Sequence, residues 1–224
     1  NKLTKVISAD FSLLPVMNRF GIQLGIKDKT IAEICDEKQI NTEFFLAIIN
    51  TYHNPEYFPE KELLSFSPLL IVEYLRKTHK HYIEYVFPQI ENLLEKLIDS
   101  GGNQTEDLKI IKTFYIKYKN EWVLHIKEEE DNVFPYLRQM IESSGKIKSE
   151  YSMHSFEKEH SNVDDKLNDL KNLIIKYIEP SYDNNICNEF LMLLANFEKD
   201  SKDHARIEDK ILLTQILAIE NKKR

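Results

Sequence analysis

From residue 67 onward, apolar positions recur three and four apart along four long stretches, the repeat of helices that bury one face. The first, helix A, takes Ser67 as its cap with Pro68 in the first turn. Its stripe of Ile71, Leu75, Tyr82, Val86, Ile90, Leu93 and Leu97 stops at Gly101-Gly102. Helix B starts near Thr105 and carries Ile111, Phe114, Tyr118, Trp122 and Val133, with a bend expected at Phe134-Pro135. Helix C carries Phe156, Val163, Leu167, Leu170 and Ile174 and ends before Pro180. Helix D starts near Asp183 and carries Cys187, Phe190, Leu194, Phe197 and Leu212. Short connections make sequential neighbours antiparallel, so the pattern predicts an all-α, up-down-up-down four-helix bundle over residues 66–224.

Residues 1–62 read as a separate small helical unit. Thr30-Ile-Ala-Glu33 is a capping box that opens a helix with Ile31, Ile34 and Cys35 on one side. Asn41 or Thr42 caps the next, whose apolar positions are Phe44, Phe45, Ile48 and Ile49. Phe58-Pro59 and Ser65-Phe-Ser-Pro68 then break the pattern and mark the boundary.

Composition narrows the function classes. Only 5 glycines and 7 prolines punctuate 224 residues, which favours long helices over many short strands. The net charge of −7, with basic residues scattered singly, argues against a nucleic-acid surface. The two cysteines, Cys35 and Cys187, form neither a metal-ligand spacing nor a disulfide scaffold. No apolar run approaches membrane-spanning length and no signal peptide is visible, so a reducing cytoplasm is the expected compartment; a leader trimmed ahead of Asn1 stays open. There is no nucleophile constellation, phosphate-binding glycine loop or dinucleotide fingerprint, and no catalytic residue is assigned.

The chemistry lies in polar residues that interrupt the apolar stripes. His79 follows Leu75 by one turn; His125 follows Trp122 with Glu129 one turn on; His160 follows Phe156; His204 continues Phe197 and Ser201, with Glu208 one turn on. A charged glutamate on a core face is costly unless a cation compensates it. The levels agree: His79 lies about 20 residues before the A–B turn and His125 about 20 after it, roughly 30 Å of helix each. His160 and His204 stand in the same relation to the C–D turn. Between B and C the levels differ by roughly 8 Å at helical rise, so either helix C begins early or the bend at Pro135 shortens helix B. A single core histidine is more often structural than a ligand, and His-x-x-x-Glu arises by chance on charged helices. The conjunction of one histidine per helix with two glutamates in phase is what points to a metal. His81 falls on the side of Lys77, His53 sits in a loop-like stretch and His154 precedes the core face of helix C; the acidic run 128–131 reads as solvated apart from Glu129.

Imidazole and carboxylate suit iron, manganese or zinc, and six such ligands are too many for one tetrahedral zinc. Two metals bridged by two carboxylates, each capped by two histidines, use the whole set. A ferric pair would need an added anion such as oxo or hydroxo to lower its charge.

At these residues the sequence resembles the haemerythrin-like RIC family, the di-iron repair-of-iron-centres proteins. His125-Ile-Lys-Glu-Glu129-Glu-Asp-Asn-Val-Phe-Pro135 matches the family's His-x3-Glu-Glu-x3-Phe-Pro segment, and Glu-Lys-Glu-His160 resembles the third helix. Asp203-His204-Ala-Arg-Ile-Glu208 matches the fourth, with Leu213-Thr214 in place of the usual Phe-Pro. Lys-Thr-His79 followed by Phe87-Pro88 resembles the first, where a spacing that varies by one residue keeps His81 as a minor alternative. The resemblance implies the metal ligands His79, His125, Glu129, His160, His204 and Glu208, both glutamates bridging two iron ions through an oxo- or hydroxo-bridged centre. In the N-terminal unit, Leu14-Pro15-Val-Met-Asn-Arg19-Phe20-Gly21 and Ile31-Ala-Glu-Ile-Cys35 resemble the short domain that precedes the bundle in that family. There a Cys-Cys-Gly-Gly element is usual; here Ile22-Gln-Leu-Gly25 stands in its place, without the cysteine pair.

The resemblance implies a protein of the nitrosative and oxidative stress response that restores damaged iron–sulfur clusters, by delivering iron or by handling nitric oxide. Damaged iron–sulfur proteins are then the expected partners. The alternative is a sensor or carrier of dioxygen or nitric oxide, with the N-terminal unit as its partner surface. Neither nucleic acid nor membrane is expected as a partner, and a homodimer stays open, as does enzymatic turnover. A metal-free interaction bundle is the remaining reading.

Overall fold

The computed structural model describes residues 1–102, 105–142 and 163–221. Among these the chain is helical, with a single isolated bridge between Lys2 and Thr30 in place of any strand. The expected all-α architecture is borne out. By the density of internal contacts the chain divides into two units, Asn1–Thr78 with Asp203–Lys222, and His79–Lys202. Both divisions fall inside unbroken helices.

In the first unit, α1 (Leu3–Ala9), a 3-10 turn (Phe11–Leu13), α2 (Leu14–Arg19), α3 (Ile31–Glu37), α4 (Thr42–His53) and α5 (Glu60–Ser65) precede α6 (Pro68–His81). The sequence-level caps are present. Thr30 accepts from the Glu33 amide while the Glu33 carboxylate takes the Thr30 amide, a complete capping box, and Asn41 accepts from the Phe44 amide at 2.9 Å. An aromatic cluster of Phe20, Phe44, Phe45, Tyr52, Phe66 and Tyr74 fills the space between α2, α4 and the start of α6. At its edge the buried Arg19 donates to the hydroxyls of Tyr52 (3.2 Å) and Tyr74 (3.3 Å). Arg206 donates to Pro55 O at 3.1 Å and lies over the Phe58 ring, and Gln215 Nε2 donates to Leu64 O and Phe66 O. These bonds fasten the segment before α6 to the last helix.

The second unit holds most of the bundle. Helix A continues from α6 through a π-helical turn, π1 (Tyr82–Val86), into α7 (Phe87–Ser100). Helix B is α8 (Thr105–Glu128), π2 (Glu129–Val133) and α9 (Phe134–Glu142). Helix C is described from Val163 as α10 (Val163–Tyr177), and helix D is α11 (Asn184–Ile207), continued by π3 (Glu208–Leu213) and α12 (Thr214–Asn221). Ion pairs set the direction of the strands of the bundle: Lys112 meets Glu95 and the later Lys119 meets the earlier Glu91, so α7 and α8 run antiparallel. Lys166 pairs with Glu121, and Lys171 with Glu198, which ties α10 to α8 and α11. Gly101 closes helix A, its amide bonding back to Ile98 O, and a Cβ there would press on the Leu108 side chain.

The core of this unit is built from the expected stripes, including Tyr82, Ile90, Leu97, Ile111, Tyr118, Trp122, Leu167, Leu170, Ile174, Phe190, Leu194 and Phe197. One detail differs from expectation: Leu94 is the fully buried member of helix A, while Leu93 packs half-buried against the core. The expected Phe134-Pro135 segment is preceded by π2. The Phe134 amide bonds back five residues to Glu129 O, and the wider turn accommodates Pro135, whose ring would strike the carbonyl four residues back in a regular α-helix. Phe87-Pro88 follows π1 in the same way. Phe156 and the start of helix C fall outside the described residues, and with them the B–C level mismatch. No described helix is long and apolar enough to cross a membrane.

Candidate metal centre

Helix B supplies the most informative side chain. Glu129 is fully buried (0% exposed) and begins π2, one turn after His125. Its Oε2 lies 3.0 Å from His79 Nε2 on helix A, and its Oε1 lies 3.4 Å from His125 Nε2 on its own helix. The two oxygens of one buried carboxylate therefore face imidazoles from two different helices, the arrangement of a bridging ligand.

His79 is itself 2% exposed. Its second ring nitrogen, Nδ1, lies 3.0 Å from Glu130 Oε1, and the ring stacks on Phe134 at 5.7 Å between centroids with 7° between planes. Burial favours the neutral ring, but hydrogen bonds to Glu129 and Glu130, backed by their charges, outweigh it, and the pKa of His79 lies above the ordinary imidazole value. A metal bound at Nε2 takes the place of a proton there. His81, the alternative on helix A, instead stacks on the exposed Tyr85 at 5.3 Å.

On helix D, His204 and Glu208 are both buried, with Nε2 and Oε2 3.7 Å apart. Glu208 begins π3 as Glu129 begins π2. Single π-helical turns recur at functional sites because they re-aim the side chains around them. Here each His-x-x-x-Glu pair stands at the entry to one.

Within the second unit the structure brings His79, His125 and Glu129 together, and within the first it brings His204 and Glu208 together. Each group offers imidazole nitrogen and carboxylate oxygen to a cation. His160 lies outside the described residues, as does His154; His53 stands apart, exposed and 2.7 Å from Asp10. The donor set is neutral imidazole and carboxylate with no thiolate, which fits iron of the type the sequence implied.

Aromatic side chains wall the second unit's side of the centre. Tyr82, Trp122 and Phe197 pack edge to face, and Trp122 stands 5.8 Å from the His125 ring while donating to the Tyr118 hydroxyl at 2.8 Å. Sequence reasoning missed two contributors, Glu130 and Phe134. Glu130 was expected in the solvated run, yet it holds His79 Nδ1. The legible signal was the spacing of Glu130 and Phe134, one α-helical turn apart and therefore on one face of helix B.

A family model described as "Hemerythrin HHE cation binding domain" matches residues 70–216. The chain is also 20% identical, over 83% of its own length and 83% of the relative's, to an "Iron-sulfur cluster repair protein ScdA" of Staphylococcus haemolyticus (strain JCSC1435). No solved structure matches.

Proposed function

This chain belongs to the hemerythrin HHE cation-binding family, and from that premise we propose that it holds two iron ions and serves in the repair of damaged iron–sulfur clusters. In this reading His79, His125, Glu129, His160, His204 and Glu208 would hold the ions, the histidines as neutral imidazoles and the two glutamates as the carboxylates that offset the charge. The observation that carries it is Glu129, whose oxygens each face an imidazole nitrogen from a separate helix, at 3.0 and 3.4 Å. An iron pair held there would supply redox chemistry and Lewis acidity toward a small diatomic molecule. The protein's own part is to fix the ligands on rigid helices, and to keep water away with the Tyr82, Trp122 and Phe197 wall.

Cluster repair is supported by the staphylococcal relative that carries that name. The proposed setting is the cytoplasm under nitrosative or oxidative stress, with damaged cluster proteins as partners. Incubating a damaged cluster protein with the wild type or with His204→Ala tests this: recovery is expected with the wild type only, and equal recovery contradicts it.

A second reading is a sensor or carrier of dioxygen or nitric oxide. It is favoured by the thiols: the chain has only Cys35 and Cys187, both buried, and burial pushes both of their pKa values up. No reactive cysteine pair is then at hand for a thiol-dependent repair step. Stopped-flow spectra of the reduced protein discriminate, since reversible binding of the gas marks a carrier or sensor and turnover marks an enzyme.

A further inference from the structure

A metal-bound histidine uses one ring nitrogen for the ion and keeps a proton on the other, and that proton needs an acceptor when the ring is buried. His79 meets this condition from two consecutive residues of helix B. Glu129 faces Nε2 and Glu130 takes Nδ1, each at 3.0 Å. In a regular α-helix neighbouring side chains diverge by about 100°. At the start of π2 the carboxylates of Glu129 and Glu130 both reach the His79 ring, one to each nitrogen. Phe134, the first residue after that turn, stacks on the same ring with 7° between planes. Glu130 differs from Glu129 in one respect that matters. Its side chain is 24% exposed and keeps part of its hydration, whereas Glu129 is fully buried.

We propose that Glu130 is a positioning residue for the metal centre: it accepts the Nδ1 proton of His79, locks the ring in the tautomer that presents Nε2 to the ion, and adds a negative charge behind that ligand. This rests on the di-metal reading above, and it goes beyond the six-ligand set. Its effect is one-sided. Glu130 supports the ion that takes His79 and leaves the ion that takes His125 alone, so its removal separates two binding steps that are otherwise alike.

The test is an anaerobic titration of the full chain with ferrous ion against a competing chelator, on the wild type, Glu130→Ala and Glu130→Gln. The wild type is expected to take two ions. In Glu130→Ala one step weakens by about 10–100-fold while the other holds. Glu130→Gln keeps most of the affinity, since its amide oxygen accepts the same Nδ1–H bond. In the zinc-loaded protein labelled with 15N-histidine, the slowly exchanging His79 Nδ1 proton is expected in the wild type and the glutamine variant and is lost in the alanine variant. Wild-type affinity for both ions in Glu130→Ala overturns the proposal. So does equal loss in both variants, or uniform weakening of both steps, which is what a general structural role gives. A wild type that takes up no iron overturns the di-iron reading itself, and this inference falls with it.

Discussion

Glu129 Oε2 and His79 Nε2 lie 3.0 Å apart although 50 residues separate them in the chain, and neither side chain is more than 3% exposed. A buried carboxylate is a liability to the fold unless a cation compensates it, because its desolvation exceeds what packing returns. Glu129→Leu is therefore expected to abolish iron uptake while leaving the thermal midpoint of the metal-free protein unchanged or higher. Metal analysis and calorimetry of the metal-free form check this. A large drop in midpoint without metal would mark Glu129 as structural.

The three π turns among the described residues carry a second expectation. Pro88 and Pro135 follow π1 and π2, but Thr214 follows π3, so the turn forms without a proline behind it. Pro135 is exposed at the start of α9. Pro135→Ala should keep two iron ions per chain, with stability within about 1 kcal/mol of the wild type. Loss of iron in this variant would show that the proline imposes the turn.

Arg19 is 4% exposed and donates to the hydroxyls of Tyr52 and Tyr74, with its guanidinium 5.5 Å from the Tyr52 ring centre. Removing it strips two buried hydroxyls of a charged donor. Arg19→Ala should cost about 2–3 kcal/mol in chemical denaturation, and Tyr74→Phe about 1 kcal/mol. A neutral Arg19→Ala would contradict the role assigned to this contact.

Glu198 supplies the acid-side dependence. Burial raises its pKa, but hydrogen bonds from Lys171 and Lys202 and their charges lower it further than burial raises it. The folded value is thus depressed below the unfolded one. Its stabilising contribution is present above the unfolded carboxylate pKa, about 4.3, and is lost as pH falls through the folded value. Glu198→Gln should flatten that part of the acid-side stability profile in denaturant titrations between about pH 5 and pH 2. An unchanged profile would rule the triad out as a source of it.

How much of this was legible in the sequence depends on which periodicity governs each residue. His125 with Glu129 and His204 with Glu208 are one α-turn apart, and their places in the apolar stripes were readable from spacing alone. The caps at Thr30 and Asn41 were equally plain, because capping is local chemistry. The role of Glu130 was not, since it depends on the His79 ring of another helix, and the π turns were not, since residue propensities do not encode a single extra residue. Pro135 was the one trace of it, and it reads as a bend because proline breaks the α-helical bond pattern in either case. The choice of His79 over His81 also needed the partner helix, for only there do Glu129 and Glu130 select one ring from the two.

The central claim is the iron pair, and the most direct measurement is metal content with an absorption spectrum on the purified full chain after expression in iron-replete medium. Two iron ions per chain, with the near-ultraviolet charge-transfer bands of a bridged ferric pair, are the result this account predicts. A chain without iron, or one holding a single zinc, would contradict it.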